Sequence, residues 1–379
     1  MLFEVPFSAA NTPSFPAKTV CLTFDDGPSD IGFPPPAPGP HSIELAQYLA
    51  SEGVQATFFM VGRSIHQFPG IAERIAGLGH QVGAHTYDHL PLDDYVKAGG
   101  DVVRQIALTG ALLPHSVDSP FYLRAPYGSW SAAVAQAMNT DIFTALNCFG
   151  PIHWDNSNSS DWDKWQDGVD PRTVAQSYLD DITAMGKGII LMHDNSADKL
   201  WLRKRNMGLP FVRILIPLLK SASFKMVRVD AIGAIAAEAA NSSALALRGA
   251  HQMYVSMEGG GAGAVLVNAN AAGATEKLTA VALGGNRYAL RAPGGQYLSV
   301  QNTGDNPVTA TAPEIGDWEI FEAMPWNPGA TAFRNYTGGF LTIAADDRLL
   351  GNGWPPQDNN VGFTPWWYPA AAMVGAGTP

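Results

Sequence analysis

Two adjacent carboxylates, Asp25 and Asp26, close a run of apolar and β-branched residues, Thr19-Val20-Cys21-Leu22-Thr23-Phe24, and Gly27-Pro28 then breaks the chain. Two anions at the end of a buried strand repel each other and are costly to desolvate; a cation beside them would let both stay ionised. Taken alone, the pair reads more readily as an ordinary strand-end turn; the motifs further along reverse that. Further on, His85-Thr86-Tyr87-Asp88-His89 sets two imidazoles four residues apart, the spacing of zinc ligands on one face of a helical turn. Thr86 stands where a zinc protease of the HExxH type carries its general-base Glu, so a hydrolase here needs its base from elsewhere. Three protein ligands and an open position for water define a catalytic zinc site. His85, His89 and one Asp meet that count, and the other Asp is left to take the water's proton. His193 ends Ile189-Ile190-Leu191-Met192, Arg124 sits in Arg-Ala-Pro-Tyr-Gly, and Asp161-Trp162 lies in an aromatic stretch. Each of these, in isolation, is as well explained by ordinary surface or strand-end packing.

A scaffold must bring these distant segments together, and the pattern supplies one. Strands are expected over 19–24, 54–61, 80–84, 121–124, 141–148, 188–193 and 224–229. Helices are expected over 43–51 (with Ser42 as N-cap), 71–78, 95–112, 131–138, 171–185 and 209–220. Prolines crowd residues 28–41 and predict a stiff loop beside the Asp pair; 151–170 is expected to be a second loop. Seven short strands alternating with helices indicate parallel βαβ units, as an open sheet or a barrel. In both, ligands gather at the carboxyl ends of the strands, where Asp25, Asp26, His85, Arg124 and His193 fall.

A chain of 379 residues is comfortable for two domains, and 46% hydrophobic with 15% charged residues describes a core-forming protein. A net charge of −11 speaks against nucleic acid or an anionic membrane as partner. Cys21 and Cys148 are the only cysteines, so a metal must use His and carboxylate; two free thiols are expected. No stretch approaches the ~18–20 apolar residues of a membrane span. The first residues show neither the basic region nor the apolar run of a signal peptide, so the chain reads as cytoplasmic or as a mature form given a start Met.

Past Asn241-Ser242-Ser243 the composition shifts to Gly, Ala and aromatics, and a repeat appears. Ala-Leu-Arg at 246–248 recurs at 289–291 and as Ala-Phe-Arg at 332–334, 43 residues apart in both steps. Tyr254-Val255, Tyr297-Leu298 and Phe340-Leu341 follow in the same register, and Leu278/Val281, Trp318/Phe321 and Phe363/Trp366 close each unit. Three such units are too few for a propeller of WD40-like blades and suggest a threefold all-β unit, a β-trefoil.

Five ordered motifs between about 19 and 240 resemble the polysaccharide deacetylases, the NodB-homology enzymes of carbohydrate esterase family 4. They are Thr-Phe-Asp-Asp-Gly-Pro (23–28), His-Thr-Tyr-Asp-His (85–89), Arg-Ala-Pro-Tyr-Gly (124–128), Asn-Ser-Ser-Asp-Trp (158–162) and Leu-Met-His (191–193), joined by Ala-Thr-Phe-Phe-Met-Val-Gly (56–62). The resemblance implies a distorted (β/α) barrel of about seven strands. It also implies a divalent metal, zinc or an alternative such as cobalt, on Asp26, His85 and His89. By the same resemblance Asp25 is the base, held by Arg124, and His193 is the general acid, oriented by Asp161. The backbone N–H of Tyr127 helps bind the oxyanion, and Pro126, Trp162 and Leu191 shape the acetyl pocket. Asn158 departs from the Asp that often opens the fourth motif, and the Pro-rich insertion at 33–40 is unusual. The C-terminal repeats resemble a fascin-like β-trefoil. The expected organisation is multidomain α/β plus all-β: an arm (1–18), a catalytic barrel (19–241) and a trefoil with a possible glycan-binding role (242–379). The expected activity is N-deacetylation of chitin, chitooligosaccharides or peptidoglycan. Alternatives are an O-acetyl esterase on xylan or another acetylated glycan, and a carbohydrate-binding protein with an inactive barrel. A monomer that is secreted or faces the cell envelope, with no nucleic-acid or membrane partner, completes the expectation.

Overall fold

The computed structural model describes residues 5–367 apart from 13, 31–37, 115–119, 141–146, 158–159, 243, 258–264, 284–285, 302–305, 328–329 and 354–361. Asn158, most of the Pro-rich insertion and most of the strand expected at 141–148 lie outside the described residues.

The N-terminal part is a parallel α/β unit. Its strands are β1 (Thr19–Asp25), β2 (Thr57–Met60), β3 (Gln81–Ala84), β4 (Phe121–Tyr122), β5 (Cys148–Phe149), β6 (Gly188–His193) and β7 (Lys225–Val227). β1 is buried along its whole length, as its apolar run requires, and carries the sheet. It pairs with β6 over six residues on one side, while β2 takes the carboxyl end and β7 the amino end of the other. β3 extends the sheet beyond β2. β4 and β5 form a separate parallel pair, joined to β3 where the Arg124 N–H donates to the Ala84 carbonyl at 2.9 Å. Among the described residues, the return from β5 to β6 has no strand. There the Asp155 carboxylate and the Asn156 side-chain carbonyl accept the backbone N–H of Ile189 (2.8 Å) and Leu191 (2.7 Å), standing in for a ladder.

Several expectations are corrected. The helix expected over 95–112 is two, Leu92–Lys97 and Val102–Gly110. Gly99, in the left-handed region, stops the first, and Asp101 caps the second by accepting the Arg104 N–H at 2.9 Å. The loop expected over 151–170 contains a helix, Asp161–Gln166. Ser42 is the first helical residue and not a cap; its hydroxyl lies 2.5 Å from the Asp194 carboxyl. Cys21 and Cys148 are both free and buried, as expected.

The C-terminal part is entirely antiparallel. Each of three units contributes four strands: β8 (Ala244–Arg248), β9 (Tyr254–Ser256), β10 (Leu266–Ala269) and β11 (Leu278–Ala282); β12 (Arg287–Arg291), β13 (Tyr297–Ser299), β14 (Thr309–Ala312) and β15 (Phe321–Asn327); β16 (Ala330–Asn335), β17 (Phe340–Ile343), β18 (Leu349–Gly353) and β19 (Thr364–Trp367). The first and last strands of the units follow one another as β8, β11, β12, β15, β16. β19 pairs β8, and the Phe363–Thr331 bridge just before it reaches β16, so the ring almost closes. The middle strands form three hairpins that meet through Leu266–Arg348, Pro307–Leu350 and the Val265 N–H to Val308 carbonyl bond of 2.8 Å. The sequence repeat is the core of this arrangement: Leu247, Leu290 and Phe333 are buried in equivalent places, as are Val255, Leu298 and Leu341. A second repeat, Gly-x-x-Glu, accompanies it. The Glu276 and Glu319 carboxylates accept the N–H of Gly273 and Gly316, each at 2.8 Å. No described helix is long and apolar enough to cross a membrane.

Candidate active site

Because β1, β3, β4 and β6 run parallel, their carboxyl ends deliver Asp25, Asp26, His85, Arg124 and His193 to one end of the sheet. They converge on a cavity of about 360 Å³ that Trp154, Trp162, Leu191, Tyr127 and Asp198 also line. Four non-glycine residues around it, Asp26, Thr86, His89 and Tyr127, adopt left-handed backbone conformations (φ 77°, 60°, 57° and 59°). Such geometry is unusual and strained, most of all for a β-branched residue, and it collects at working sites.

Asp26, His85 and His89 each turn one donor atom to a common point, all within 4.8 Å of one another. Asp26 Oδ1 lies 3.0 Å from His89 Nε2 and 3.6 Å from His85 Nε2. The other nitrogens are engaged behind them. His85 Nδ1 is 2.8 Å from the Arg124 carbonyl, which can only accept, so the proton sits on Nδ1 and the Nε2 lone pair faces the centre. His89 Nδ1 is 2.6 Å from Asp198 Oδ2. Two imidazole lone pairs and a carboxylate, each braced from outside, fit a divalent cation. The electrostatics agree. Burial on its own would raise the Asp26 carboxyl, but the histidines around it, His89 foremost, hold it well below the usual range. Burial lowers His85 to about 4. Burial would lower His89 too, yet Asp26 and Asp198 on either side push it to about 10. A divalent cation would be held by Asp26 Oδ1 and the Nε2 atoms of His85 and His89, and would compete there with the second proton of His89.

Asp25 stands beside this cluster with Oδ2 3.6 Å from His85 Nε2. Its Oδ1 accepts from Arg124 NH1 at 2.9 Å. Arg124 is fully buried and spends its other donors on Thr23 Oγ1 (2.6 Å), the Ile152 carbonyl (3.0 Å) and the His153 carbonyl (3.2 Å), with its guanidinium over the Phe59 ring. A buried cation held by four hydrogen bonds fixes one carboxylate oxygen and leaves the other to the cavity.

His193 is gripped by both oxygens of Asp161: its backbone N–H donates to Oδ2 and its Nδ1 to Oδ1, each at 2.8 Å. Burial would lower the imidazole, but the Asp161 charge outweighs it and raises His193 to about 9, so it is protonated at neutral pH. Asp161 opens the unexpected helix and is 1% exposed. Trp162 and Leu191 line the cavity beside it. Pro126 does not line the cavity; it is buried and opens the turn Pro126–Gly128 that carries Tyr127. Sequence reading missed Thr23, Arg63, Asp155, Asn156 and Asp198, which act through tertiary approach. Only the polar stretch 194–198 directly after His193 hinted at the last.

Comparison with known proteins bears on this constellation. The family model for polysaccharide deacetylases matches residues 12–145. A chitooligosaccharide deacetylase of Azorhizobium caulinodans is 31% identical over 220 residues, 55% of this chain and 91% of that one. The peptidoglycan-N-acetylglucosamine deacetylase PgdA of Listeria monocytogenes is 31% identical over 56% of this chain but only 40% of its own length. A chitin deacetylase of Pestalotiopsis is 30% identical over 50% of this chain and 58% of its own. A solved peptidoglycan N-acetylglucosamine deacetylase superposes with a TM-score of 0.44 at 26% identity, over 60% of this chain and 91% of that one. The chain belongs to the polysaccharide deacetylases, carbohydrate esterase family 4. Its reaction class is therefore the hydrolytic removal of acetyl groups.

Proposed function

We propose that this protein removes N-acetyl groups from N-acetylglucosamine-containing glycans, chitin oligomers or peptidoglycan, using one divalent ion, zinc in preference to cobalt, on Asp26, His85 and His89. The observation that carries the reading is the three-donor cluster flanked by an Arg-held carboxylate and an Asp-held imidazolium. The names of the relatives, all N-acetylglucosamine-polymer deacetylases, support the substrate class.

When bound, the cation supplies Lewis-acid polarisation of the amide carbonyl and a more acidic water. The chain's own residues do the rest. Asp25, with one oxygen tied to Arg124, takes the proton of the attacking water on the other. The Tyr127 N–H supports the carbonyl oxygen as charge grows on it. His193, protonated and fixed through Nδ1, gives its Nε2 proton to the leaving amine, without which an amine anion would have to depart. Trp162 and Leu191 wall off the acetyl methyl.

The five-stranded parallel sheet and the β4–β5 pair are read together as a distorted (β/α) barrel over 19–241, preceded by an arm over 1–18. The ring and three hairpins of 242–379 are read as a β-trefoil that holds insoluble polymer near the barrel. A polymeric wall or extracellular substrate implies a monomer that is secreted or faces the cell envelope. The test is acetate release from chitooligosaccharides, peptidoglycan and acetylxylan, with and without a chelator. Release from the first two, abolished by chelation and restored by zinc, is expected; release from acetylxylan alone overturns the reading.

A further inference from the structure

The four residues Asn195–Asp198, just beyond β6, hold two of the three donor side chains at once. Asn195 Nδ2 donates to the Asp26 carbonyl at 3.1 Å, and the Ala197 N–H donates to Asp26 Oδ2 at 2.9 Å. That leaves Asp26 Oδ1 as the oxygen facing the histidines. One residue on, Asp198 accepts from His89 Nδ1 and from the Tyr127 hydroxyl on Oδ2, while its Oδ1 pairs with Arg63 at 2.9 Å. Arg63 also donates to the Ala197 carbonyl at 3.1 Å, so the short segment is pinned at its middle. The Tyr127 ring lies 4.8 Å from the His89 ring and closes the other flank.

We infer that Asp198 is a positioning residue for the metal centre: its carboxylate fixes the His89 proton on Nδ1, aims Nε2 at the cavity, and so tightens the hold on a divalent cation. The two imidazoles are not equivalent in this respect. His85 is backed by a neutral backbone carbonyl, whereas His89 is backed by a charge, which makes its Nε2 the stronger donor. Through Tyr127, the same carboxylate ties the ligand set to the turn whose N–H supports the carbonyl oxygen.

The inference rests on Asp26, His85 and His89 being a cation site, and the experiment separates the two. Zinc affinity is measured by competition with a chromophoric chelator for the unmodified protein, Asp198→Ala and Asp198→Asn, together with the visible spectrum of each loaded with cobalt. Asp198→Ala is expected to lose about 10–100-fold in affinity and to shift the cobalt spectrum. Asp198→Asn, whose amide oxygen still accepts from Nδ1 but carries no charge, is expected to fall between. Equal affinity and an unchanged spectrum in Asp198→Ala overturn the inference and leave the site reading standing. A lowered melting temperature of the zinc-free variant with an unchanged spectrum overturns it as well, because that is a structural role only. Failure of the unmodified protein to take up zinc overturns the site reading itself, and this inference with it.

Discussion

At the level of single residues, the division of labour between Asp25 and Asp26 is set by what stands behind each. Asp26 faces two imidazoles, and Asp25 faces a buried guanidinium. Asp25→Asn is therefore expected to keep zinc affinity and lose kcat by about 10²–10⁴-fold, checked by metal titration alongside acetate release. The acid side has its own signature. The Asp161 charge holds the His193 imidazole up at about 9, so the protonated form is expected to dominate below that value and kcat to decline as pH rises through it. Asp161→Asn removes the charge that sustains this and is expected to move the descending limb down by about 1–3 pH units, costing rate already at neutral pH. A kcat–pH profile that keeps its limb in place removes His193 from the acid role. The residues brought into this cleft were legible because each lies in a short run ending an apolar strand: Phe24-Asp25-Asp26, Ala84-His85, Met192-His193. Asp198 and Thr23 were not, because they touch their partners across 109 and 101 residues of chain, and no local pattern encodes such a meeting.

Among the elements, strands were read more securely than helices. Val-, Ile- and Phe-rich runs leave little choice, whereas residues 95–112 carry a helical apolar period straight through Gly99-Gly100, where the backbone turns. The Asp161–Gln166 helix was hidden by its composition, Asp-Trp-Asp-Lys-Trp-Gln, which reads as a polar loop; a packed Trp165 and the Tyr178 hydroxyl on the Asp161 N–H override that preference. Strand placement is also where the site is most easily disturbed from a distance. A methyl group on Gly83 in β3 would sit 2.7 Å from the Tyr122 carbonyl and 2.9 Å from the Phe59 ring. Gly83→Ala is expected to destabilise the fold by about 1–3 kcal/mol in denaturant melts. It should also cut activity by pushing β4, and with it Arg124, away from Asp25; unchanged stability would show that β3 and β4 have slack.

Across the whole molecule, the 43-residue spacing made the threefold character of the C-terminal part visible, since each unit buries the same positions. The order in which twelve strands pair was beyond it, because closing a ring depends on hairpin geometry that residue spacing does not record. The two parts touch where the helix Gly233–Ser242 runs into β8 and where Asn147 donates to the Tyr288 hydroxyl at 3.1 Å. If the second part serves to hold polymer, a chain ending near Asn241 should retain its rate on soluble oligomers and lose it on insoluble chitin. Equal loss on both would assign it a stabilising role instead. The left-handed residues bordering the cleft carry a cost for anyone who would improve this enzyme. Thr86 is fully buried, sits at φ 60° and leaves its hydroxyl without a hydrogen-bond partner among the described residues. Glycine there would relieve roughly 1–3 kcal/mol of torsion and also free the peptide that fixes His85. Laboratory selection for heat resistance alone would thus drift toward variants that outlast the parent and turn over less.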